Sequence, residues 1–232
     1  MMSGFQYPTE YFMEEGKVNL ANCLQATFSA AVTHQVGKVI IFTSAGRGVL
    51  MALDEFRSQE QYAHIGLVAV TFPSQSQFSA GDPTEQKISE DVQRKLDECA
   101  VPIVRAHLPF DPIRTHYAGH GVLGQDFGLI GNALRIFGGS MSLCVQAVLM
   151  ASDAGLVELG EHVIAMTSDT SILVRAAGTA RFLTDLIVRE IICKPVLLTI
   201  GKLEKQSAEN STEIVAPRVE GAVPRLELEP PK

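Results

Sequence analysis

A layered α/β domain is the fold class this sequence predicts, on three observations. Short apolar and β-branched runs (KVIIFT, IGLVAVT, VPIVRA, HVIAMT) alternate along the chain with segments whose apolar residues recur every three or four positions. Between them lie polar stretches rich in Ser, Pro and Gly, which punctuate regular structure. A hydrophobic content of 46% in 232 residues is enough to bury one sizeable core.

Each element has its own signal. Asn19 is placed to cap a helix through LANCLQATFSAAVTHQV, with Leu20, Leu24, Phe28 and Ala31 on one face and Gly37 as its terminator. The strand KVIIFT runs into TSAGRG, and Val49, Leu50, Leu53 and Phe56 then mark a helix. The strand IGLVAVT follows, and FPSQSQFSAGDP reads as loop. Asp82 and Pro83 form an N-cap and first-turn pair for a helix carrying Ile88, Val92, Leu96 and Cys99. After the strand VPIVRA, residues 107–121 read as an excursion loop. Leu123, Phe127, Ile130, Leu134 and Phe137 then keep the spacing of an amphipathic helix, stopped by Gly138 and Gly139. SLCVQAVLMASDA is apolar almost all round, which predicts a helix sandwiched inside and ended by Gly155. HVIAMT and SILVRAA read as strands joined by the short turn at Ser168 and Asp169, and LIVREIICKPVLLTI as the closing strand. One α/β domain over residues 1–201 is expected. From about Lys202 the chain is charged, Pro-containing and aperiodic, the composition of a disordered tail over 202–232.

Composition narrows the function classes. A net charge of −7 argues against wrapping nucleic acid or coating an anionic membrane, both of which need clustered Lys and Arg. MMSGFQYPTEYFMEE lacks the cationic start and apolar core of a signal peptide, and MSLCVQAVLMASDAGLV is interrupted by Gln146 and Asp153, so neither a leader nor a span is expected. Cys23, Cys99, Cys144 and Cys193 show no CxxC pair or zinc spacing and read as reduced thiols in a cytoplasmic protein.

The chemistry concentrates in TSAGRG. A loop after a parallel strand and before a helix lies at the carboxyl edge of the sheet, where the first helical N–H groups lack partners. Thr43 and Ser44 bring hydroxyls, Gly46 and Gly48 allow close backbone approach, and Arg47 adds a fork-shaped cation matched to phosphate oxygens. The same glycines would also serve plain strand–helix packing, with Arg47 solvated. Thr71, Thr167 and Ser168, at the ends of IGLVAVT and HVIAMT, complete the candidate ligand-binding set. Elsewhere the signals are weaker. His116 and His120 have a metal-compatible spacing only if helical, and the flanking Gly119 and Gly121 argue for loop, so no metal is expected. GHGVLG lacks the preceding strand of a dinucleotide fingerprint. Ser140 and Ser142 could cap the buried helix or face a ligand, with capping the safer reading. Asp153 reads as a helix-end polar group, and no Ser-His-Asp or Cys-His order has positional support.

YFMEEGKVN, KVIIFTSAGRG, CVQAVLMASDAGLV, HVIAMT and REIICKP, in that order across Tyr11 to Pro195, resemble the stand-alone family of pyruvate kinase C-terminal-domain-like proteins. More distantly, IIFTSAGRG is similar to the phosphate-binding loop of the regulatory domain of pyruvate kinase. The resemblance implies a three-layer α/β/α sandwich around a mainly parallel, mixed sheet with an antiparallel edge strand. It implies phosphate binding at Thr43, Ser44, Ala45, Gly46 and Arg47. It departs from the family in the short Ser168–Ser171 turn, where relatives have a glycine-rich loop, and at Gln146 and Leu20, where they often have Glu and Thr. The catalytic barrel of pyruvate kinase has no counterpart.

The expected function is therefore a binding or regulatory domain for a phosphorylated small molecule, a sugar phosphate or a mononucleotide such as flavin mononucleotide (FMN), without pyruvate kinase activity. The alternatives are a small enzyme acting on such a ligand, with Asp169, His116 or His120 in the pocket, and an assembly module, for instance a homo-oligomer joined through helical faces.

Overall fold

A computed structural model describes residues 7–73, 87–110 and 123–196, with the backbone alone over 123–128. Val39, Ile40, Ile41 and Phe42 are all buried, so strand β2 (Lys38–Phe42) is apolar on both faces, as a central strand covered on both sides must be. It pairs in parallel with β3 (Gly66–Thr71) and, on its other side, with β5 (His162–Met166). β4 (Ile103–Arg105) continues the parallel set beyond β3. The Thr167–Thr170 turn is too short for a parallel crossover, so β6 (Ser171–Arg175) returns antiparallel to β5, and β7 (Ile187–Pro195) runs antiparallel to β6 in turn. A three-residue strand, β1 (Glu10–Phe12), joins β7 in parallel. The sheet thus has seven strands in the order β1-β7-β6-β5-β2-β3-β4, and β7 and β1 extend it beyond the reversed strand β6.

Strand periodicity divides the core. Val39, Ile41, Leu67, Ala69, Ile164 and Met166 point into one apolar cluster, with α1 (Leu20–Thr33), α2 (Arg47–Met51) and α3 (Glu90–Glu98) supplying Leu24, Phe28, Val49 and Leu96. Ile40, Val68, Val70, Val163 and Ala165 point into the other, which is covered by α5 (Met141–Asp153) with Ile130 and Leu134 of α4 (Leu123–Arg135) packed against it. Two cores on opposite faces make the three-layer α/β/α sandwich. Nine consecutive residues of α5, Cys144 to Ser152, are buried, and so is Met141, as its all-round apolar pattern predicts.

Several local expectations are corrected. Asn19 occupies the cap position of α1, but its amide donates to the Glu14 carbonyl (2.6 Å) and makes no cap bond. The helix ends at Thr33, before Gly37: Gln35 takes the left-handed conformation (φ 54°), and the Val36 N–H closes the end on Ala31 O (2.8 Å) with Val36 buried. α3 starts at Glu90, capped by Ser89, whose Oγ accepts from the Val92 N–H (3.3 Å). Asp82 and Pro83 lie outside the described residues, as do residues 111–121 of the excursion loop and residues 197–232. After α2 the chain continues in π-helical turns over Ala52–Arg57, and a short helix, α6 (Phe182–Asp185), precedes β7. Among the described residues no helix is long and apolar enough to cross a membrane.

Gln146, polar in an apolar helix, is 3% exposed and satisfied: its Oε1 accepts from the Phe110 N–H (3.0 Å) and its Nε2 donates to Ser142 Oγ (3.2 Å). A buried amide with both ends bonded fixes the Leu108–Phe110 segment against α5 at little net cost.

Candidate functional site

The Thr43–Gly46 turn is built by its own backbone. The Thr43 N–H donates to Val70 O (2.9 Å), extending the β2–β3 ladder by one residue. Gly46 then turns the chain into α2 with φ 88°, a conformation that glycine adopts without penalty. Its N–H donates to Thr43 Oγ1 (3.0 Å), while the hydroxyl of Thr71 donates to Ser44 O (3.4 Å). Gly48 permits close packing of helix on strand: a Cβ there would stand 3.3 Å from Ile41 and 3.5 Å from Leu20.

Beside this turn lies a cavity of about 290 Å³ at the carboxyl ends of β2, β3 and β5. Its polar lining is Lys17, Thr43, Ser44, Arg47, Ser140, Thr167 and Ser168; Leu20, Ile41, Phe42, Phe72 and Leu143 form its apolar wall. No carboxylate is among these lining residues, whereas two cations are. The formal charge of these lining residues is therefore positive, carried by Lys17 and Arg47, both exposed to solvent, and positive charge at a cavity favours an anion. The Thr43 hydroxyl oxygen accepts within the loop, leaving its proton to donate.

Six of the eight residues expected from the sequence line this cavity: Thr43, Ser44, Ala45, Arg47, Thr167 and Ser168. The other two, Gly46 and Thr71, support it from behind. A Cβ on Gly46 would meet Val92 Cγ1 at 2.5 Å, so that glycine accommodates α3. Ser140 stands at the cap position of α5 without a side-chain cap bond, which corrects the capping expectation; it faces the cavity, and its N–H donates to Thr170 Oγ1 (2.9 Å). Lys17 had no local sequence signal; Phe72 directly follows Thr71 at the end of β3, and that position could have pointed to it.

The β5–β6 turn forms the cavity's far rim. Asp169 is 3% exposed; its Oδ1 accepts from the hydroxyls of Thr167 (3.2 Å) and Thr170 (2.9 Å), and its Oδ2 from the Gly16 N–H (2.7 Å). Beneath this turn lie thiols. Cys23 Sγ donates to Thr167 O and Cys144 Sγ to Thr170 O, each at 3.5 Å, and Cys193 Sγ is 3.3 Å from Cys23 Sγ. All four cysteines are free, and burial pushes the Cys23 and Cys144 thiols well above the ordinary range. Asp153 accepts from the N–H (3.0 Å) and hydroxyl (2.5 Å) of Thr179, in keeping with a helix-end role. His116 and His120 lie outside the described residues, among which no group of three or more His, Cys, Asp or Glu could hold a metal ion.

These features define an α/β/α protein with a polar-rimmed cavity at the carboxyl edge of a mixed sheet. No family model matches the chain. Among solved structures, it shows weak similarity to pyruvate kinase of Cryptosporidium parvum, with a TM-score of 0.31 and 16% identity over 71% of this chain and 23% of that one. The complex of the same enzyme with ADP gives 0.31 and 15% over 68% of this chain and 24% of that one. The chain thus spans about a quarter of the length of that enzyme.

Proposed function

We propose that the cavity binds the phosphoryl group of a small molecule, and that the protein is a binding or regulatory domain for that molecule. The observation that carries this reading is that Arg47, Thr43, Ser44 and Ser168 line one cavity with no carboxylate among its described lining residues. An oxyanion there would accept bonds from the hydroxyls and from the fork of Arg47. The volume of about 290 Å³ lies at the lower end of the range for small-molecule sites, about 300–1,000 Å³. It suits a phosphate with a compact body, such as a sugar phosphate; the ring system of a mononucleotide such as FMN would extend past the mouth. The resemblance of IIFTSAGRG to a regulatory phosphate loop points the same way.

Binding is favoured over catalysis because the buried carboxylate nearest the cavity, Asp169, already accepts three hydrogen bonds, two from hydroxyls and one from the backbone. A general base needs a lone pair directed at substrate. An assembly role without ligand would be favoured by side chains filling this space, and no described side chain fills it.

The test is calorimetry or a thermal-shift titration at low salt with inorganic phosphate, sugar phosphates and FMN on wild type, Arg47→Ala and Ser44→Ala. A charge-assisted bond contributes about 1.5–3 kcal/mol, so Arg47→Ala is expected to weaken binding by about one to two decades. If no anion stabilises the wild type, or if both variants bind as the wild type does, the loop is a strand–helix turn and nothing more.

A further inference from the structure

Cys23 on α1 and Cys193 on β7 are 170 residues apart in sequence, yet their sulfurs meet at 3.3 Å. Both side chains are free and wholly buried. The Cys193 thiol donates to Cys23 Sγ, and the Cys23 thiol donates in turn to Thr167 O (3.5 Å). A third thiol, Cys144 on α5, belongs to the core on the opposite face of the sheet and has its own acceptor, Thr170 O (3.5 Å). Among the described residues no group of three or more His, Cys, Asp or Glu could hold a metal ion, so the chemistry open to the pair is that of sulfur itself.

The fold holds the two sulfurs together. Cys23 and Cys193 share one apolar cluster with Phe12, and β7 is kept in register at Cys193 by Ser171 of β6 and Glu10 of β1. A disulfide needs its sulfurs at about 2.0 Å, so this pair has about 1.3 Å to close from 3.3 Å, a distance that modest rotations about the two Cα–Cβ bonds supply. Burial keeps the Cys23 thiol protonated, which slows its oxidation, while proximity decides which partner it takes. Access comes at the edge of the sheet. The strand paired with β7 at Cys193, β1, is three residues long, and a short edge strand opens locally at low cost.

We propose that Cys23 and Cys193 are a dithiol modification site, which a small hydroperoxide oxidises in the folded protein to an intramolecular disulfide that clamps α1 to β7. One sulfur, as its thiolate, attacks a peroxide oxygen: the O–O bond breaks, the departing hydroxide takes up the thiol proton as water, and the sulfur becomes a sulfenic acid. The second sulfur attacks the first, its proton leaves with the sulfenic hydroxyl as another water, and the S–S bond forms. Two electrons pass from the thiols to the peroxide. The product joins the first turn of α1 to the end of β7, closing a loop that constrains most of the unfolded chain. It also removes the proton that bonded the carbonyl of Thr167, a residue that lines the cavity.

The experiment uses the full chain with Cys99→Ser, which removes the partly exposed thiol. It is treated with hydrogen peroxide at pH 8, in native buffer and in urea, then alkylated and mapped by mass spectrometry of unreduced peptides. The native protein is expected to give a peptide pair joined through Cys23 and Cys193, released by dithiothreitol, with Cys144 still a free thiol. In urea the first link is expected between Cys144 and Cys193, the pair closest in sequence, because the shorter loop closes more readily. Cys144→Ala is expected to leave the native link intact, and Cys193→Ser to abolish it. The oxidised protein is expected to melt at least about 4 °C above the reduced one. The proposal is overturned if the native protein links through Cys144, or if Cys23 and Cys193 stay reduced or pass separately to sulfinic acids. An oxidised form that melts no higher than the reduced one overturns the clamp.

Discussion

Replacing Gly46 by Ala separates the two jobs that a glycine in a strand–helix turn can do. The added Cβ would stand 2.5 Å from Val92 Cγ1, far inside van der Waals contact, and would sit on a residue with φ 88°. The left-handed conformation costs an L-residue about 1–2 kcal/mol. Relieving the overlap costs about 1–3 kcal/mol more, since the β-branched Val92 has few rotamers and α3 must shift to make room. The reduced freedom of the unfolded chain offsets about 0.4–1 kcal/mol of this. The net destabilisation is about 1–4.6 kcal/mol, which for a domain near 200 residues lowers Tm by roughly 2–18 °C. The assay is thermal unfolding of wild type, Gly46→Ala, Val92→Ala and the double variant. Because Val92→Ala removes the obstructing methyl, the cost of Gly46→Ala in that background is expected to fall to the backbone part, about 1–2 kcal/mol less the same offset, with the difference appearing as coupling. A Gly46→Ala protein that melts like the wild type, or one with the same cost in both backgrounds, would refute the packing role.

Three further outcomes follow from the core. Phe28 is fully buried, with ring centroids 4.9 Å from Phe56 and 5.3 Å from Tyr62, so Phe28→Ala is expected to cost about 3–5 kcal/mol and lower Tm by at least about 6 °C; a fall of only a degree or two would contradict this aromatic cluster as a keystone of the α1 face. In native protein a thiol reagent is expected to label Cys99, which is partly exposed, well before the buried Cys23, Cys144 and Cys193, and mass mapping after a short pulse checks the order. With the Cys23 and Cys144 thiols held above their ordinary value of 9.0 by burial, the unfolded chain ionises them first. Their stabilising contribution is complete below that value and is lost as pH rises above it, so Cys144→Ala should flatten the decline in Tm across this alkaline range.

By itself the sequence determined the layered class, because the signals for it are local. The runs VIIF and LVAV are apolar at every position, so each strand must be covered on both faces, and the helical periods of α1 and α5 supply the covers. TSAGRG was legible for the same reason: a strand, a turn with glycines and a helix start are contiguous, and their order places Thr43, Ser44 and Arg47 at the sheet's carboxyl edge. Other features were decided only in three dimensions. A strand of three residues such as β1 has no period to detect, and its pairing with β7 comes from the opposite end of the described chain. Gln35 ends α1 in place of Gly37 because Val36 gains a buried position and a hydrogen bond by the earlier turn. Gly46 reads as a residue for approaching a ligand, yet its missing Cβ makes room for Val92 from a helix more than forty residues on. That Lys17 and Arg47 line one cavity, and that the Gly16 N–H donates to Asp169, has no local pattern at all. Periodicity reports which face of an element is buried; which distant residues share that burial is settled by packing, where contacts between remote segments leave no mark on either segment's own sequence.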